Sequence, residues 1–150
     1  DGGSVYASDW AWGVVEESWP DAIDFYGTPD TPWDPSTWVS GSFTPYVGVA
    51  AYTSATVIDP TMAVSVGATA DVYLDLDAWV VVQATQAQVL IQGDVQLYTD
   101  VNMIGTTPFP SAPLVVRYDA GGTVIYTTFH NDQQATADAL AILAEIILAL

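Results

Sequence analysis

Cysteine is absent, so disulfides, a thiolate nucleophile and Cys-ligated metal are all excluded. Lysine is absent as well, and Arg117 is the one strongly basic residue against 18 acidic ones, a formal net charge of −17. Binding to a phosphate backbone needs Lys and Arg to release counterions, which excludes nucleic acid as a direct partner. Anionic membrane surfaces are disfavoured for the same reason. No run of about 18 apolar residues occurs, so no membrane insertion is expected. Glutamate is scarce: 15 of the acids are Asp and three are Glu. Asp enrichment without Lys points to a salt-adapted protein, exported or at a cell surface, whose acidic groups repel one another at low ionic strength.

What is present suffices for one domain. The chain has 150 residues, 51% of them hydrophobic. At this size roughly 70% of the unfolded chain's surface is buried on folding.

Apolar patterning predicts a strand over residues 4–8 after Gly2-Gly3. Ser8 or Asp9 then caps a helix over residues 10–19. Residues 26–46 read as a long loop rich in Pro, Thr, Ser and Trp, and residues 47–58 as a strand. Asp59-Pro60 is a helix start, an acidic cap followed by Pro at the first helical position, and Gly67 stops that helix. Strands follow over residues 70–76, 79–84 and 88–92, with Gly93-Asp94 as a turn and residues 95–112 mostly loop. A hairpin joins residues 114–118 to residues 123–129 through Ala120-Gly121-Gly122. A last helix, capped by Asn131 or Asp132, runs to Leu150 with a wide apolar stripe. Strands and helices alternate at both ends. The expected fold class is therefore α/β: a mixed, mostly parallel sheet with flanking helices and a C-terminal β-hairpin followed by a helix.

His130 is the only histidine. It follows one strand and precedes a helix, and Asp9 follows another strand in the same way. In open α/β sheets, ligands bind beyond the carboxyl ends of strands. Asp132, two residues on, could orient the imidazole, or could simply cap the helix. Ser8, Asp9, His130 and Asp132 are therefore the candidate catalytic residues, with His130 as general base. Ser8 equally suits an ordinary helix cap.

The segments GGSVYASDWAW and GGTVIYTTFHNDQQ resemble the sheet of class I glutamine-amidotransferase-like, flavodoxin-like domains. In that group a strand after a Gly pair enters a sharp turn carrying a Cys nucleophile, and a hairpin strand ends in F-H-x-E before the last helix. Here the second motif is Phe129-His130-Asn131-Asp132, and Ser8-Asp9 stand where the nucleophile would be. The resemblance spans residues 2–12 and 114–150. It implies a sheet whose first strands precede Asp1. With no Cys, and with Trp10 where the turn would need a small residue, thiol amidotransferase chemistry is excluded. The expectation is a non-catalytic amidotransferase-like module for binding or assembly. Its partner would be a protein: a second copy of the chain or a missing N-terminal segment, covering the region around Val5, Tyr6 and the final helix.

Two alternatives stand beside it. One is a hydrolase using Ser8 or Asp9 with His130 and Asp132. The other is a calcium-dependent surface or adhesion domain, since Asp71, Asp75 and Asp77 cluster, as do Asp30 and Asp34, and hard oxygen ligands suit Ca²⁺. No EF-hand spacing occurs, because its second and third positions fall on Tyr73 or Trp79, so no residue is assigned as a metal ligand. In the long loop, Trp33, Trp38 and Tyr46 are candidate ligand-binding residues, suited to flat stacking on sugars or to a recognition surface.

Overall fold

The computed structural model describes residues 2–27, 47–74, 79–100, 102–130 and 136–150. Among these, 48% are strand and 25% helix, arranged as a curled mixed sheet with three α-helices. The expected helix-flanked, mostly parallel α/β sheet is not what forms. Of the strand pairs, only β1 (Val5–Ser8) with β10 (Thr123–Thr127) is parallel, and every other pair is antiparallel.

The reason is visible at β4 (Ala51–Val57), which a helix joins to its neighbour. Asp59 caps that helix, α2 (Pro60–Val66), by accepting from the amides of Thr61 at 2.9 Å and Met62 at 2.8 Å. Gly67 ends it at φ 105°, a conformation open to glycine. Seven helical residues span about 10 Å, whereas seven strand residues span about 23 Å. The helix cannot carry the chain back to the start of β4. The next strand, β5 (Thr69–Leu74), therefore returns antiparallel, with Ala51 opposite Leu74 and Thr56 opposite Thr69.

The largest departure lies in residues 95–112, expected as loop. They belong to a long hairpin of β8 (Gln88–Tyr98) and β9 (Thr106–Asp119). Gly93-Asp94 is no turn but an interruption of register inside β8. The Asp94 carboxylate accepts from the Ser111 amide at 2.9 Å, and the Asp94 carbonyl accepts from the Thr53 hydroxyl at 2.9 Å, which ties the irregular stretch together. Pro108, Pro110 and Pro113 speak against a strand in sequence, because proline cannot donate to a ladder. The irregular register accommodates Pro108 opposite Gln96 and Pro113 opposite Gln92.

In the main sheet the order is β1-β10-β9-β8-β3-β6, with β4 pairing β8 and β5; here β3 is Val47–Gly48 and β6 is Trp79–Val80. A separate two-stranded ribbon joins β2 (Ile23–Phe25) to β7 (Val82–Thr85). Residues 47–58 and 79–84 are thus each broken in two. The expected helix over residues 10–19 is a 3-10 turn, Asp9–Ala11, continued by α1 (Trp12–Ser18).

The sheet separates two cores. One face packs Leu114, Val115, Ile125 and Phe129 against Met62 of α2 and against Ile142 and Ile146 of α3 (Ala137–Ala149). Leu143, on the same apolar stripe, is half-buried. The other face packs Ala7, Val116 and Tyr126 against Val15 of α1 and against Phe25, whose ring meets Tyr126 edge-on at 5.2 Å. The cap of α3 is Thr136, whose hydroxyl accepts from the Ala139 amide at 3.0 Å, in place of Asn131 or Asp132, which lie outside the described residues. Asp138 and Thr136 also close the free edge of β5: the Asp71 amide donates to Asp138 at 2.8 Å, and the Thr136 hydroxyl donates to the Asp71 carbonyl at 3.1 Å.

Candidate functional site

The parallel register sets Val5 beside Val124 and Ser8 beside Thr127, so β1 and β10 end side by side. Asp9 follows one end and His130 the other. The Asp9 side chain is fully buried, and its Oδ2 lies 3.4 Å from His130 Nε2, while about a third of the His130 side chain is exposed. Asp9 Oδ1 accepts from the buried Val80 amide at 2.7 Å. The Tyr126 hydroxyl donates to the Asp9 carbonyl at 2.8 Å. One residue thus ties β1, β6 and β10 together.

Asp9 achieves this at φ 41°, the left-handed region that non-glycine residues enter at a cost. Aspartate tolerates it better than most, because its short polar side chain bonds locally. The conformation turns the chain off β1 and drives the carboxylate inward. Burial raises the Tyr126 phenol pKa well above its ordinary value, and the neighbouring Asp9 charge and Tyr6 push it further in the same direction. A second layer of bonds lies beneath: the Tyr6 and Thr127 hydroxyls are 3.0 Å apart, and Thr127 donates to the Phe129 carbonyl at 2.8 Å.

Ser8 stands apart from this pair. It ends β1 half-buried and makes no side-chain cap to the turn that follows. Among the described residues no hydrogen bond joins its hydroxyl to His130. Asp132, Trp33, Trp38 and Tyr46 lie outside the described residues, as do Asp30, Asp34, Asp75 and Asp77. Asp71 lies on β5 with its amide bonded to Asp138. Among the described residues no group of three or more His, Asp or Glu is placed to hold a metal ion.

Sequence reasoning missed Tyr126 and Val80. The alternation in Val124-Ile125-Tyr126 puts Tyr126 on the face opposite Ile125, a weak pointer. Nothing in sequence links Val80 to Asp9, because the contact exists only once β6 is folded against the turn.

A second feature was also missed. Two cavities of about 410 Å³ and 540 Å³ open at the other end of β10. There Tyr118 pairs with Val124 and Asp119 with Thr123. Trp19 and Tyr118 line the first cavity with their rings edge-on at 5.5 Å.

Comparison with protein-family models, curated proteins and solved structures finds no match to this chain.

Proposed function

We propose that the chain is a non-catalytic binding and assembly module, and that it takes its ligand at the Trp19–Tyr118 end of the sheet. The observation that carries this reading is the contrast between the two ends of β10. At one end the Asp9 carboxylate is fully enclosed, with Oδ1 held by the Val80 amide and Oδ2 facing His130. Its contacts are those of a structural tie. At the other end the two cavities are lined by Trp19, Tyr118 and Gln86 together with the charged Asp21, Arg117 and Asp119, and both fall within the roughly 300–1,000 Å³ range of ligand sites. The Phe129-His130 strand end and the parallel β1–β10 pair are the features that still resemble amidotransferase-like domains.

The assembly half is supported by the outer face of α3. Leu140, Ile147 and Leu148 are 52%, 62% and 80% exposed. With Ala137 and Ala144 they form a face free of charge, spaced as in a helix–helix seam. A second copy, meeting this face without bringing acid against acid, is the partner we propose. A monomer in native mass measurements at high concentration would remove this half. The setting proposed is an exported, salt-adapted protein, supported by the net charge of −17.

A second reading is favoured by the 3.4 Å approach of His130 to Asp9: an imidazole oriented by a buried carboxylate can act as general base in a hydrolase. Hydrolysis of p-nitrophenyl acetate by the wild type and by His130→Ala separates the two. Equal rates are expected. Turnover that depends on His130 would favour the hydrolase and overturn the non-catalytic reading.

A further inference from the structure

We propose that Tyr52 and Tyr73 form an oxidative modification site, where a one-electron oxidant of the haem-peroxidase class, supplied with hydrogen peroxide, joins the two rings into a dityrosine. The inference is independent of where the chain takes a ligand.

The pair is set by strand register. β4 and β5 run antiparallel with Tyr52 directly opposite Tyr73. Side chains alternate along a strand. Here Thr53, Ala55 and Val57 turn inward with Ala70, Val72 and Leu74, which leaves Tyr52 and Tyr73 on the outer face. The next outward pair, Ser54 opposite Asp71, is short and exposed, so the rings stand on an open surface. Tyr52 is 71% exposed and Tyr73 is half-buried beside it. An oxidant in solvent therefore reaches this pair, whereas Tyr126 is buried and the Tyr118 hydroxyl is shielded.

The rings are also aligned for coupling. Their centroids lie 4.3 Å apart and their planes differ by 19°. Trp12 with Phe25, Trp19 with Tyr118 and Phe25 with Tyr126 instead meet edge-on. Among the described residues Tyr52 and Tyr73 are the one pair of tyrosines in ring contact. Each phenol gives up one electron and its hydroxyl proton. The unpaired electron of the resulting phenoxyl spreads to the Cε carbons, with its density above and below the ring. Two nearly parallel rings present those lobes to each other. One Cε carbon of each ring forms the new bond. Each of these carbons then loses its hydrogen as a proton, and each phenol oxygen regains one, which restores both aromatic rings. The net loss is two electrons and two protons, which reduce one hydrogen peroxide to two waters.

The rest of the chain favours this outcome. It has no cysteine, whose thiol oxidants attack readily and which would otherwise supply covalent links. A bond from Tyr52 to Tyr73 closes a loop around α2 and restricts the unfolded chain as a disulfide does.

The test treats the full chain, at high dilution, with a haem peroxidase and hydrogen peroxide. Dityrosine fluorescence, intact mass and mass mapping of peptic peptides read the product. The expected product is a monomer lighter by two hydrogen atoms, in which the peptides carrying Tyr52 and Tyr73 are joined. Tyr52→Phe and Tyr73→Phe keep the ring and the stack but lack the phenol oxygen, so each should abolish this link. Tyr98→Phe should leave it in place. Absence of dityrosine, a link mapped to another pair, a link that survives either of the first two variants, or links formed only between molecules would each overturn the proposal. The peptide map of the wild type decides the matter even where a variant fails to fold.

Discussion

Replacing Asp9 separates the two contributions this residue makes to the fold. Asp9→Ala removes the acceptor at 2.7 Å from the buried Val80 amide, and an unpaired buried amide costs about 1–3 kcal/mol. It also forces alanine into φ 41°, at a further cost of roughly 1–2 kcal/mol. The sum, about 2–5 kcal/mol, is a large share of the roughly 5–15 kcal/mol that holds a typical domain together. Asp9→Gly loses the same acceptor without the left-handed penalty, so it should be about 1–2 kcal/mol more stable than Asp9→Ala. Asp9→Asn keeps an oxygen for the Val80 amide and should lie within about 1 kcal/mol of the wild type. Urea denaturation at neutral pH in high salt measures all three, with midpoints compared at constant slope. If Asp9→Ala costs less than about 1 kcal/mol, or if Asp9→Gly is no more stable than Asp9→Ala, the tie is not what holds the strand ends together.

The remaining predictions concern packing, pH and salt. Gly48→Ala should destabilise by about 2–4 kcal/mol in the same assay, combining overpacking with a strained hydrogen bond. The new methyl would lie 1.9 Å from Cε2 of the buried Trp79, whose indole N–H donates to the Val49 carbonyl at 3.1 Å. Burial raises the phenol pKa values of both Tyr118 and Tyr126 in the fold, so their stabilising contribution is complete below the unfolded value near 10. That contribution is lost as pH rises towards the folded values, so stability should fall steeply above pH about 10, with Tyr126 ionising only as the fold opens; phenolate absorbance against circular dichroism checks the order. Melting temperature should rise with NaCl between about 0.1 and 1 M, over which the Debye length shrinks from roughly 10 to 3 Å, and a flat curve would count against self-repulsion.

The local elements were legible wherever a short-range rule governs them. Asp59-Pro60 starts α2 because the carboxylate reaches its own first-turn amides, and Gly67 ends it because glycine enters positive φ freely. Ala120-Gly121-Gly122 turns between β9 and β10 for the same kind of reason, with Asp119 opposite Thr123. The wide apolar stripe of the last helix did bury Ile142 and Ile146. The excess of acid over base needed no structure at all.

Strand direction and strand partners were decided by tertiary structure alone. Alternating strands and helices suggest parallel crossovers, but α2 is too short to span β4, and that length argument operates only once the strands pair. The prolines of β9 argue against a strand until an irregular neighbour accommodates them. Asp9 and His130 could be nominated from sequence because each follows an apolar strand. That they lie 3.4 Å apart, with Asp9 buried against the Val80 amide, required β1 and β10 to be adjacent and in parallel register. The cavities beside Tyr118 are further still from sequence reasoning: Trp19, Gln86 and Tyr118 belong to three separate connections and strands. Short-range backbone and capping preferences act within a few residues and can be read along the chain. Burial, register and the meeting of distant side chains arise from the packing of the whole sheet, and exist only when it is complete.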